Sequence, residues 1–229
     1  MEGPVSGDLM RWNEETYELF LSRATAYSAL SLCFQYPDGD TERLLREWVP
    51  EALKDASRTL KMERYRCYKY MEELANFLRR SRDFGDSRKE YTRIFIASYP
   101  KLLCPPYESV YVSRDRRLYS DEVLEVLELM RKWSLEVSDE FHEPPEHVAV
   151  ELGFAAYLLS GIADKIVERS YEEAEEVLDD YKVLVAHMVR WVPTFCSCVE
   201  RESRVDLYRL AARALRVFVS DEASALNIE

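Results

Sequence analysis

An all-α fold, one helical bundle of about eight to ten helices over residues 1–229, follows from three features of the sequence. Apolar residues recur at helical spacing through most of the chain. Prolines fall at the joints between those periodic segments: Pro37, Pro50, Pro100, the pairs 105–106 and 144–145, and Pro193. No segment alternates polar and apolar residues with a period of two, and no internal repeat or low-complexity linker divides the chain.

Taken in order, Leu19, Phe20, Arg23, Ala24, Tyr27 and Leu30 mark a first amphipathic helix ending near Tyr36, at Tyr36-Pro-Asp-Gly-Asp40. Leu44, Leu45 and Trp48 form a short second helix before Pro50. Tyr70, Leu74, Phe77 and Leu78 belong to another, ending near Gly85. Ser87-Arg-Lys-Glu90 fits a capping box that opens a helix carrying Tyr91, Ile94, Phe95 and Ser98. A loop around residues 99–119 follows, held out of any helix by Pro105 and Pro106, since each proline lacks an N–H and disfavours the α region for its predecessor. A loop longer than roughly 12–15 residues in a compact domain generally has a task.

Ser120-Asp121-Glu122 then starts a helix with Val123, Leu124, Leu127 and Met130 on one side and Glu122, Glu125 and Glu128 on a solvated face. Pro144-Pro145 suits a first helical turn, and Val148, Leu152, Ala155, Leu159, Ile162 and Ile166 form the stripe of a central buried helix. Ser170-Tyr-Glu-Glu173 is a second capping box, with a helix running to about Trp191. Val205, Tyr208, Ala212, Leu215 and Val219 mark the last helix.

Composition bounds the function. The net charge is −12 and the pI about 4.9, which excludes nucleic acid as a partner class and suits a cationic peptide or simple solubility. No run of eighteen apolar residues exists, and the N-terminus has neither a basic start nor an apolar core, so a cytoplasmic location is expected. Five cysteines spread through the chain predict reduced thiols rather than a disulfide framework. Three Asn and one Gln point to a thermophilic source, although five Cys and six Met point the other way.

The search for chemistry is mostly negative. His147 and Glu151 share a helix face, but none of the three histidines (142, 147, 187) has Glu three positions before it, and Cys196 and Cys198 lack a second pair at zinc spacing. No metal and no cofactor is expected; Cys196 and Cys198 read as small apolar residues near a helix end. There is no Gly-x-Ser-x-Gly and no glycine-rich phosphate loop, so no catalytic residue is assigned. Two segments remain, Glu90-Tyr91-x-x-x-Phe95 with the Pro105–Ser109 loop, and Pro144-Pro145-Glu146-His147. Glu90 has a sufficient role at the third position of its capping box, Tyr91 and Phe95 in the core, and Glu146 against the helix dipole. A neutral His147 beside carboxylates and an exposed aromatic loop also makes a peptide-binding patch, and both readings stay open.

Read together, "EYTRIF", "CPPYESVY" and "EPPEHVAVEL" resemble the TorD-type redox-enzyme maturation chaperones, the group with the DmsD and NarJ branches. Their pattern of Glu-Tyr-x-x-x-Phe, a proline-aromatic-Glu-Ser loop and Pro-Asp-His before Glu-Leu falls on Glu90, Tyr91 and Phe95, then Pro105, Pro106, Tyr107, Glu108 and Ser109, then Pro145, Glu146, His147, Glu151 and Leu152. Glu146 stands where the family usually has Asp. The resemblance implies an all-helical cytoplasmic chaperone, monomeric or homodimeric. It would bind an apo molybdenum oxidoreductase subunit, often through its twin-arginine leader, until cofactor insertion is complete. It also implies weak guanine-nucleotide binding. Tyr107, Glu108, Ser109, Glu146, His147 and Glu151 are then the client-binding set, with Tyr107 and Glu108 facing the client. The alternatives are a metal-dependent or acid–base enzyme using His147, Glu146 and Glu151, or a purely structural helical adaptor.

Overall fold

The computed structural model describes residues 12–112, 121–137, 141 and 143–228, so Ser120, His142 and the loop beyond Val112 lie outside it. Ten α-helices follow one another among the described residues, with a single isolated bridge and no strand. Helix α1 (Glu14–Cys33) opens on a capping box between Asn13 and Thr16, and α2 (Gly39–Glu47) on the Asp38 carboxylate. Next come α3 (Val49–Met62), α4 (Tyr68–Arg80) and α5 (Gly85–Tyr91), the last running into a π-helical turn, Thr92–Ile96. Helices α6 (Ser109–Val112) and α7 (Asp121–Lys132) are short; α8 (Val148–Glu168), α9 (Tyr171–Glu202) and α10 (Asp206–Leu226) are long.

Several boundaries differ from the sequence expectation. Pro50 starts α3 rather than ending α2, because a proline in the first turn forfeits no intrahelical bond. Neither proposed capping box forms: Ser87 lies inside α5, and the Ser170 side chain makes no cap bond. The turn after α5 ends at Ile96, which leaves Ser98 outside it. Pro144 and Pro145 precede α8, whose cap is His147. Helix α9 passes through Pro193 to Glu202, because buried Trp191, Val192, Phe195, Cys196 and Val199 anchor both sides of the break. On α7, Val126 and Met130 are buried while Leu124 is exposed.

Helix α8 is the centre. Its predicted stripe is buried throughout, with α1 on one side and α9 on the other. Helix α10 packs on α9 and α4, and α3 closes the ring between α1 and α4. Each large apolar side chain removed from water contributes on the order of 1.5–3 kcal/mol. An aromatic column of Phe34, Tyr91, Phe95, Phe195 and Tyr208 joins the π-helical turn to this core. Tyr91 and Phe95 thus pack as their i,i+4 spacing predicts.

One sequence expectation is overturned outright. Cys104 and Cys198, 94 residues apart with Cα atoms 5.8 Å apart, form a disulfide between the proline loop and α9. Spacing along the chain carries no sign of such a pairing, which the fold alone creates. Cys33, Cys67 and Cys196 are free and buried. No helix among the described residues is long and apolar enough to cross a membrane.

Candidate functional site

The two motif segments meet. Pro106 has no N–H to give, but its carbonyl accepts from the Val148 N–H at 2.8 Å, satisfying one of the unpaired donors that every helix start presents. The Glu108 N–H returns a bond to the Glu146 carbonyl at 3.1 Å, so Tyr107 and His147 lie opposite each other as an antiparallel bridge. The Ser109 N–H donates to Glu146 Oε2 at 3.0 Å, and the Tyr107 hydroxyl to Glu143 at 2.9 Å. The prolines therefore hold an extended edge that closes over the start of α8.

That closure turns most of the proposed client-binding set inward. Glu108, Ser109, Glu146, His147 and Glu151 are at most 1% exposed, and only Tyr107 is half-buried. The expected open patch with Glu108 facing outward is thus not the arrangement found. The pairing of the two segments spends their polar edges on each other.

His147 is a helix cap. Its Nδ1 accepts from the Ala149 N–H at 3.1 Å, so the neutral ring carries its hydrogen on Nε2, which faces the Tyr91 hydroxyl at 3.4 Å. Tyr107 and Phe141 each meet the ring edge-on, with centroids 5.7 Å away. Burial pushes its pKa down to about 3, so it is neutral under physiological conditions. The enzyme alternative needed His147 to work with Glu146 and Glu151; its two nitrogens are turned to Ala149 and Tyr91 instead.

Glu90 is also buried, but paired. Arg93 grips it bidentately at 2.8 Å and the Arg204 N–H donates at 2.5 Å. Burial pushes this carboxyl up, yet those bonds outweigh it and hold the group below its ordinary value. Leu152 packs in the core, Pro106 is buried, and Pro105 and Pro145 are half-buried.

The residue that sequence reasoning passed over is His187. It lies on α9 one turn before Trp191, and its Nε2 touches Glu108 Oε1. Trp191 Nε1 donates to Glu151 Oε2 at 3.1 Å. Ligand atoms of Glu108, Glu151 and His187 all lie within 4.8 Å of one another. Burial first, then the charges of Glu108 and Glu146, push the Glu151 carboxyl well above its usual range, with the Trp191 bond opposing. The available signal was that His187 shares a helix face with buried Trp191, but a Glu-x-x-His filter rejects it.

Beyond the bridge, the next turns of α8 border a groove of about 300 Å³. Ala149, Gly153, Phe154 and Tyr157 form one wall, and Leu135, Val137 and Phe141 the other, with exposed Glu136 among the lining residues. A Cβ at Gly153 would meet no atom within 4 Å, so that wall is open at the glycine.

The profile of the nitrate reductase delta subunit family matches residues 66–197. The chain is 25% identical over 122 residues to the chaperone protein TorD of Vibrio cholerae, covering 53% of this chain and 54% of the relative. It is 25% identical over 138 residues to the TorD of Photobacterium profundum, covering 60% and 62%. These alignments span about half to six tenths of the relatives' length. A crystal structure described as a redox enzyme maturation protein from Archaeoglobus fulgidus superposes with a TM-score of 0.54 at 26% identity, covering 96% of this chain and 99% of that one. With a family profile that takes in both paired segments and α8, the chain belongs to the nitrate reductase delta subunit family, among the TorD- and NarJ-type redox-enzyme maturation chaperones.

Proposed function

We propose that this protein is a maturation chaperone, and not an enzyme. It acts in the cytoplasm, binding an apo molybdenum oxidoreductase subunit through its twin-arginine leader or N-terminal segment until the cofactor is inserted. The observation that carries this reading is the apolar groove along α8, which begins where the two motif segments pair. A leader has an apolar stretch, and a groove of this lining removes it from water, which is where affinity in helix-in-groove recognition arises. A leader guanidinium would meet exposed Glu136, which lines the groove, since Glu108, Glu146 and Glu151 face inward. Exposed ion pairs contribute only about 0–1 kcal/mol each. The arginines therefore set orientation more than affinity.

Titrating the protein with a fluorescent twin-arginine leader, with its Arg-Arg→Ala-Ala form and with a scrambled peptide tests this. The native leader should bind tightest and the scrambled peptide weakest. Gly153→Leu, which fills the groove from a position with free space, should weaken binding at least roughly tenfold with little change in melting temperature. Equal affinity for all three peptides, or a Gly153→Leu variant that binds normally, would refute the groove as the leader site.

A further inference from the structure

The interior around Glu108 is short of positive charge. Three carboxylates converge there from the proline loop, the start of α8 and α8 itself, and each is at most 1% exposed. Both Glu108 oxygens, Glu146 Oε1, Glu151 Oε1, Ser109 Oγ, Tyr111 Oη and His187 Nε2 are buried without a hydrogen-bond partner. Buried polar atoms are normally satisfied, and such a concentration in one place calls for an explanation. Glu108 and His187 touch, yet that contact lacks hydrogen-bond alignment. The nearby Arg190 guanidinium is engaged with His187 Nδ1.

We propose that Glu108, Glu151 and His187 hold one divalent transition-metal cation of the zinc, cobalt or manganese class, which staples the proline loop to α8 and α9. Two carboxylates and one imidazole are a donor set these metals accept. Ligand atoms around 2.0–2.2 Å from a tetrahedral centre are roughly 3.3–3.6 Å apart, so within the observed 4.8 Å cluster the Glu108–His187 contact must open to admit the cation while the wider pairs close. His187 ligates through Nε2, the nitrogen turned to the carboxylates. Its Nδ1 then carries the ring hydrogen, and the half-exposed Arg190 guanidinium swings to water. Glu151 keeps its Trp191 bond on the other oxygen, as an outer partner that orients the ligand. The cation links three parts of the fold separated by up to 79 residues (187 minus 108), beside the backbone bonds to Glu146 and Val148 and the Cys104–Cys198 disulfide that already hold the loop. This inference does not depend on the client or its leader.

The full chain, carrying no histidine tag, is produced in minimal medium supplemented with Zn²⁺, Co²⁺ or Mn²⁺, treated with EDTA, and submitted to elemental analysis. At least one preparation should retain close to one equivalent of metal per chain. The Glu108→Gln/Glu151→Gln variant, near-isosteric and checked for its helical melt, should retain at least roughly tenfold less. X-ray absorption on the wild-type protein should show nitrogen and oxygen neighbours with imidazole scattering, and this reading stands even if the variant fails to fold. Less than half an equivalent in every preparation, undiminished retention in the folded variant, or sulfur from the buried thiols in the metal shell would each overturn the site.

Discussion

Among the buried carboxylates of the described residues, the centre around Glu222 and the one around Glu108 contrast most. Glu222 on α10 receives Arg23 of α1 through Nε at 2.9 and 3.0 Å and through the guanidinium amine at 2.5 Å, with the Tyr181 hydroxyl alongside and Tyr27 bonded to Tyr181. The pair is 2% and 0% exposed, and Glu222 carries no orphaned atom. Around Glu108 three carboxylates gather, the cationic candidate touching them among the described residues is an imidazole, and the polar atoms are left over. The first arrangement explains itself as a fixed link between the first and last helices. The second does not close on its own residues, and it sits beside the segments that carry the family pattern. The filled network ties α1 to α10, whereas the unfilled one lies where the proline loop closes on α8 and α9, which is where the proposed cation would sit.

The sharpest way to break this contrast is at Glu222. Glu222→Ala should destabilise the protein by about 3–5 kcal/mol in urea unfolding, because it leaves the Arg23 guanidinium buried and unpaired. The double variant Arg23→Met/Glu222→Leu should recover most of that loss. A single variant costing under about 1 kcal/mol would place both centres in the same class.

At the other centre the same kind of change should have little cost. Glu151→Gln keeps an oxygen for Trp191 and removes charge from a crowded acidic interior, so metal-free protein should change by no more than about 1 kcal/mol, or gain stability. A loss as large as that at Glu222 would mean Glu151 is a fold-holding charge after all.

His147 gives a pH signature. Its folded pKa of about 3 lies far below the ordinary 6.5, so between those values the unfolded chain binds a proton that the folded one refuses. Stability from this group is complete above about pH 6.5 and falls as the pH drops, by roughly 1 kcal/mol per unit between about pH 6 and 4. His147→Asn keeps a side-chain oxygen for the Ala149 N–H and cannot titrate, so it should flatten that limb in urea titrations run across the range. Parallel pH curves for the two proteins would show that the ring is not buried as described.

A milder pH signature belongs to Glu90. Its folded pKa lies below the ordinary 4.5, so the stability it contributes is whole above that value and is lost as the pH falls through the folded one. Glu90→Gln should cut the acid sensitivity below about pH 4.5 by an amount on the order of 1 kcal/mol, since Arg93 is partly exposed. An unchanged acid limb would assign that sensitivity to other carboxylates.

Much of the fold was written in local patterns. The α8 stripe from Val148 to Ile166 and the i,i+4 pair Tyr91 and Phe95 were legible because helical period alone decides which side faces inward. The boundaries misread at Pro50 and Pro193 share one cause. A proline only removes a bond, and whether a helix starts, ends or continues there depends on what packs around it. The Ser87 capping box fails because Ser87 is buried inside α5, whereas Ser170 does stand at the start of α9 but makes no side-chain cap bond.

By itself the sequence determined an all-helical chain, a central apolar helix and two family-like segments, because these depend on spacing within a few turns. Tertiary structure decided which way Glu108, Glu146 and Glu151 point, that Cys104 meets Cys198, and that His187 rather than His147 joins the carboxylates. Those outcomes are contacts between residues 36 to 94 positions apart, and no local preference encodes them; they follow from how the proline loop closes across α8 onto α9.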